Sequence, residues 1–82
     1  MIYGIYTVKD EASALFMPLQ VNENNDVAMR SFDYALQSNQ LMQFRPEDFS
    51  LWYLADFDNE TGIIEPKGSP LCLKRGVKRG KR

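Results

Sequence analysis

An α+β fold, a small antiparallel sheet of about three strands with one packed helix in the order β-α-β-β, is predicted by three features of this sequence. A β-branched and aromatic run opens the chain, a segment with helical spacing follows a cluster of turn-forming residues, and an alternating strand leads into a hairpin loop. Residues 67–82 then change character and read as a flexible basic arm, so the chain divides into an acidic α+β domain at 1–66 and a Gly- and Pro-containing carboxyl-terminal arm at 67–82.

Ile2–Val8 is short, rich in residues that favour a pleated surface, and closed by charge at Lys9–Glu11, which makes it a strand. Alternation places Tyr3, Ile5 and Thr7 on one face and Ile2, Gly4, Tyr6 and Val8 on the other. Both faces are largely apolar. Lys9–Met17 is ambiguous between element types, and Pro18 forces an extended or turning path there.

Asn22–Asp26 is a polar turn cluster that suits a helix start, with Asn24 or Asn25 as the cap and Asp26 at the positive end of the helix. From about Asp26 to Gln37, a 3.6-residue repeat gathers Ala28, Met29, Phe32, Ala35 and Leu36 into one stripe. Ser38–Gln43 is polar apart from Leu41 and Met42, and Arg45–Asp48 is a proline-set turn. Phe49–Phe57 alternates cleanly, which puts Phe49, Leu51, Tyr53, Ala55 and Phe57 under the helix and Ser50, Trp52, Leu54 and Asp56 on the other side. Asp58–Gly62 is a hairpin loop, and Ile63–Glu65 returns as a partner strand that Pro66 ends.

Eighty-two residues suffice for one domain with a modest core. A core this small is marginal, so a homodimer that covers exposed apolar surface is expected. Cys72 is the single cysteine, which fits a reducing cytoplasm, and its leucine neighbours make it a packing residue. No basic region precedes the short apolar run at Met1–Val8, so neither a signal peptide nor a membrane partner is expected.

The net charge of -1 conceals a segregation. Of the ten bases, only Lys9, Arg30 and Arg45 lie in residues 1–66, together with all eleven acids, while Lys67, Lys74, Arg75, Lys78, Arg79, Lys81 and Arg82 stand in an acid-free arm. Such a cluster attracts the phosphates of nucleic acid by counterion release, and glycines between the basic pairs let it follow an irregular backbone; a solvated tail is the plainer alternative. Tyr3, Tyr6 and Trp52 are the candidates for stacking on unpaired bases, since every base has a π face. Trp52, beside Ser50 and Asp56, suits a base, a dimer partner or a bound segment, whereas Tyr53 belongs to the core. Glu47, Asp48, Asp56, Asp58 and Glu60 lack a calcium-loop pattern, the chain has no histidine, and no activated nucleophile is evident. No enzyme, metal or cofactor is expected.

Arg45-Pro46-Glu47-Asp48-Phe49-Ser50-Leu51-Trp52-Tyr53-Leu54, continuing through Asp56-Phe57-Asp58-Asn59-Glu60-Thr61-Gly62-Ile63-Ile64, resembles the PED(F/Y)SL and FD…(T/S)G signature of the small nonstructural protein of gokushoviruses, single-stranded DNA phages of the microvirus group. Asn25-Asp26-Val27-Ala28-Met29-Arg30-Ser31-Phe32 is similar to a second segment of that family, and about two thirds of the chain is covered. The resemblance implies a DNA-associated accessory protein of genome replication, acting in single-strand synthesis in the host bacterial cytoplasm, with single-stranded DNA as a partner and no catalytic residue. The other class of function is a protein-interaction module whose acidic body docks on a replication initiator, a host factor or a capsid precursor.

Overall fold

The computed structural model describes residues 1–77. In chain order the elements are β1 (Ile2–Asp10), β2 (Leu15–Phe16), β3 (Gln20–Asn22), α1 (Asn25–Ser38), α2 (Gln40–Phe44), a 3-10 turn (Pro46–Asp48), β4 (Phe49–Asp58) and β5 (Ile64–Arg75). The fold is α+β with an antiparallel sheet, as the sequence predicts. It differs in having five strands instead of about three, and two helices instead of one.

Three long strands carry the sheet, with β4 between β1 and β5. The extra strands are short. Both lie on the outer edge of β1, where Lys9 and Asp10 face Phe16 and Leu15 of β2, and Gly4–Tyr6 face β3. The ambiguous stretch before Pro18 is thus a tight return onto β1, secured by the Met17 N–H donating to the Val8 carbonyl at 2.8 Å.

The helix start is as read: the Asn24 side chain accepts from the Val27 N–H at 2.9 Å, and Asp26 sits in the first turn. Ala28 and Phe32 are buried beneath α1, with Met29, Ala35 and Leu36 packed around them. One residue ends this helix and begins the next. The Asn39 N–H donates to the Ala35 carbonyl, while its side chain accepts from the N–H groups of Leu41 and Met42 at 3.0 and 3.2 Å. The second helix spans only five residues, too few for a periodic signal, yet it delivers Met42 into the core.

That core lies between the helices and one face of the sheet, and holds Tyr6, Val8, Phe32, Met42, Phe49 and Leu51. Opposite residues in a ladder share a face, so Tyr6 with Tyr53 and Val8 with Leu51 fix the helix side. Beyond Tyr53 the pairing shifts by one residue: Ile5 faces Ala55 where unbroken alternation would give Leu54. The extra residue inverts the faces. Ala55 and Phe57, expected under the helix, stand on the far face opposite Ile5 and Tyr3, and Asp56 turns to the helix side, where Tyr53 bonds to it.

The arm also needs correction. Residues 67–75 are the second half of β5, so the acidic domain does not end at residue 66 and the segment is not a free tail up to Arg75. Pro66 and Pro70 are accommodated because β5 is an edge strand and the register slips across Lys67–Pro70, with Ala55 facing Pro66 and Tyr53 facing Leu71. Leu73 packs on the core and holds the strand in place. The Gly76 N–H then donates to the Phe49 carbonyl at 2.8 Å, and the chain passes so closely under the Pro46 carbonyl that a Cβ at Gly76 would strike it.

Because Asn39 closes α1 and opens α2, Asn39→Ala is expected to lower stability by about 1 to 2 kcal/mol, the upper part of the range for a lost cap. Urea unfolding of the two proteins measures the difference.

Candidate nucleic-acid interface

Both helices serve the one core, and the opposite face of the sheet carries no helix. Cross-strand pairing assigns that open face. It receives Tyr3, Ile5, Thr7 and Lys9 from β1, Ser50, Trp52, Ala55 and Phe57 from β4, and Ile64, Pro66, Cys72 and Arg75 from β5. Phe16 of β2 and Val21 of β3 extend it past β1. None of these residues is acidic. The helix-side positions of the same strands include Asp10, Asp56, Asp58 and Glu65, so the pleat sorts the charges of the body as well as its apolar groups.

One end of the open face is organised around Trp52. Phe16 meets its ring edge-on, with centroids 5.9 Å apart at 85°, and the Lys9 ammonium lies 5.6 Å from the Phe16 ring centre and 5.8 Å from that of Trp52. These are the geometries that an aromatic quadrupole favours. The indole N–H donates to Ser50 Oγ at 2.8 Å, and the Ser50 hydroxyl donates in turn to the Glu11 carboxylate at 2.8 Å. Glu11 follows β1 directly and is also 3.6 Å from Lys9 Nζ and 3.8 Å from an Arg75 guanidinium nitrogen. The Ser50 hydrogen bond foremost, then the two cations, hold its carboxyl below the usual carboxylate range.

The candidate residues separate. Trp52 and Tyr3 share the open face. Tyr6 does not: it is 1 % exposed, its ring stacks on Tyr53 with centroids 5.1 Å apart, and its hydroxyl donates to Asn25 at 2.7 Å. No ring face is left for a base, so Tyr6 is a core residue. Its ring lies across Gly4, where any Cβ would collide with it. Alternation had grouped Tyr6 correctly with Gly4 and Val8, but two apolar faces gave no sign of which one the helix covers.

Three of the basic candidates meet the protein's own acids. Lys67 Nζ is 3.1 Å from Asp56 and 4.9 Å from the Tyr53 ring centre, Lys74 is 2.8 Å from Asp33 on α1, and Arg75 reaches Glu11. Lys67 and Lys74 point to the helix side; only Arg75 serves the open face. Lys78, Arg79, Lys81 and Arg82 lie outside the described residues. Lys9, Phe16, Ser50 and Glu11 were not singled out as site residues. The alternation of β1, continued one step past Thr7, would have found Lys9.

Among the acids of the turn and hairpin, Asp58 Oδ1 accepts from the Glu60 N–H at 2.9 Å and its carbonyl from the Gly62 N–H at 2.7 Å, with Gly62 at φ 79°. Arg45 lies 3.5 Å from Glu47 and 3.7 Å from Asp48. Among the described residues, no group of three or more acidic or cysteine side chains is placed to hold a metal ion, and no helix is long and apolar enough to cross a membrane.

On the helix side, the Tyr53 hydrogen bond and then Lys67 hold the Asp56 carboxyl below its ordinary value, while the same hydrogen bond pushes the Tyr53 phenol up. A folded-state pKa below the unfolded one means that the unfolded chain binds more protons in acid. The contribution of Asp56 is therefore present above the ordinary carboxylate pKa of about 4 and lost as pH falls through its lower folded value. Asp56→Asn is expected to flatten the acid side of a stability-versus-pH curve measured by denaturant unfolding.

The family model described as Phage ORF5 protein matches residues 3–79 of this chain. No curated protein and no solved structure matches it.

Proposed function

We propose, from the premise that the chain belongs to the Phage ORF5 protein family, that it is a nonstructural, DNA-binding accessory protein of phage genome replication or single-strand synthesis. It acts by binding, without catalysis or cofactor, in the cytoplasm of the bacterial host. The ligand is single-stranded DNA, held with its bases on the open sheet face and its phosphates at the basic end of that face. The match to a phage family supports the phage setting, and the resemblance of the Arg45–Ile64 segment to the gokushovirus nonstructural protein supports the replication role.

The observation that carries the reading is an aromatic sheet face whose strand positions hold two bases and no acid, on a body that is otherwise acidic. Aromatic rings on a sheet meet the π faces of unpaired bases, which a duplex hides in its stack. Lys9 and Arg75 frame Trp52, and Arg75 begins the run that supplies Lys78, Arg79, Lys81 and Arg82. Phosphate contact therefore belongs to Lys9, Arg75 and those later residues. Lys67 and Lys74, turned to the helix side and paired there, have no part in it.

Trp52→Ala is expected to weaken binding of a labelled oligothymidylate about tenfold, within the ~1 to 3 kcal/mol measured for one base–aromatic stack, while Trp52→Phe keeps most of the affinity. Deleting residues 78–82 leaves every described element intact and is expected to flatten the salt dependence by ~0.7 in logarithmic slope for each phosphate lost. Anisotropy titrations at several salt concentrations read both, with thermal melting to confirm folding. An intact full chain that leaves the oligonucleotide free at low salt ends the proposal.

The apolar half of the same face favours a second reading, a protein-interaction module. Ile64 is 55 % exposed and Val21 54 %, far from the Lys9–Trp52 end, and a replication initiator, a capsid precursor or a second copy of the chain suits such a surface. Ile64→Asp separates the two: it spares oligonucleotide binding if DNA is the ligand. If apolar docking is the function, it abolishes association with a second copy, read by sedimentation, or with a purified phage partner.

A further inference from the structure

We propose that Lys9, Ser50 and Arg75 form a phosphate-binding site at the Trp52 end of the open face, and that the Glu11 carboxylate fills it as an internal substitute for the ligand. This rests on the single-stranded DNA reading and names where one backbone phosphate sits.

The donors are those an oxyanion needs. A hydroxyl donates at 2.8 Å, an ammonium stands at 3.6 Å, and a guanidinium nitrogen at 3.8 Å, all directed to one carboxylate. They arrive from three strands, β1, β4 and β5, so the sheet itself assembles them. The indole that would stack a base donates to the same Ser50 hydroxyl at 2.8 Å, which places a ring face and an anion position next to each other. A nucleotide presents the same pairing of base and phosphate.

The carboxylate is held in a way that suits replacement. Its backbone is fixed: the Glu11 N–H donates to the Asp48 carbonyl at 2.7 Å, and the Ala12 N–H to Asp10 Oδ1 at 3.0 Å. Its turn closes at Ala14 with φ 61°, in the left-handed region that a non-glycine residue enters only where its surroundings hold it. The side chain is held by one hydrogen bond, from Ser50 at 2.8 Å, and by two ion pairs. Both ion pairs are long, at 3.6 Å to Lys9 and 3.8 Å to Arg75, and the pair with Arg75, which is 63 % exposed, contributes little in water. A phosphate, with more acceptor oxygens than a carboxylate, satisfies the same donors while Glu11 turns out to solvent.

The test compares the full-length protein with Glu11→Gln, Glu23→Gln and the double variant Lys9→Ala/Glu11→Gln. Glu23 lies on the turn before α1, so its change matches the charge without touching the site. Labelled oligothymidylate and, separately, inorganic phosphate are the ligands, followed by anisotropy and by NMR shifts at Lys9. Glu11→Gln is expected to bind the oligonucleotide about three- to tenfold more tightly at low salt and to steepen the salt slope by ~0.7, one added phosphate. Glu23→Gln should gain less than twofold, and Lys9→Ala/Glu11→Gln should lose the gain.

If the wild-type chain binds and Glu11→Gln gains no more than Glu23→Gln, the inference is overturned while the DNA reading stands. If the wild-type chain does not bind but Glu11→Gln does, the anion site is supported and the reading of the unmodified chain as a DNA-binding protein ends. Binding of inorganic phosphate alone by Glu11→Gln supports the anion site and removes the DNA reading. Failure of both ligands with every variant removes both.

Discussion

A single extra residue in β4, Leu54, sets what each side of this molecule presents. Before it, the pleat sends Phe49, Leu51 and Tyr53 to the helices and Ser50 and Trp52 away from them. After it, the order reverses, so Ala55 and Phe57 join Trp52 while Asp56 joins Tyr53. Without that offset, Asp56 would stand on the open face, and Ala55 and Phe57 would crowd the helix start. Register is a discrete variable with period two, and one insertion changes the chemistry of the whole remainder of the strand.

This explains how far the sequence could be read. Alternation located the strand and placed its first half correctly, but a bulge leaves no mark in the pattern, so Ala55, Asp56 and Phe57 were assigned to the wrong sides. The cap at Asn24 and the stripe at Ala28, Phe32 and Leu36 were legible because capping chemistry and a 3.6-residue repeat are local properties. Residues 67–75 were not, because prolines, glycines and positive charge count against a strand in isolation. Here the neighbouring β4 and the apolar anchor Leu73 prevail over that local preference.

The site was half legible for a related reason. Trp52 and Tyr3 stood out by residue type, whereas Tyr6 looked equivalent until packing buried it against Tyr53 and Asn25. The basic segment was visible as composition, yet its members have different fates: Lys67 and Lys74 tie β5 to Asp56 and Asp33, and Arg75 turns to the opposite side. Charge segregation along the chain therefore becomes charge segregation between faces. That conversion needs cross-strand neighbours that no linear reading supplies.

The prolines of β5 have a further effect on how copies of the molecule meet. A terminal strand of twelve residues is long enough to template another strand. Pro66 and Pro70 lack the amide hydrogen that such growth consumes, and the slipped stretch between them spoils the straight ladder. Polymerisation through backbone pairing is thereby capped at one end of each monomer. A crowded solution of this protein should stay free of fibrils even though the partly exposed rings of Tyr3, Trp52, Phe57 and Phe16 leave the aromatic face within reach of a binding partner.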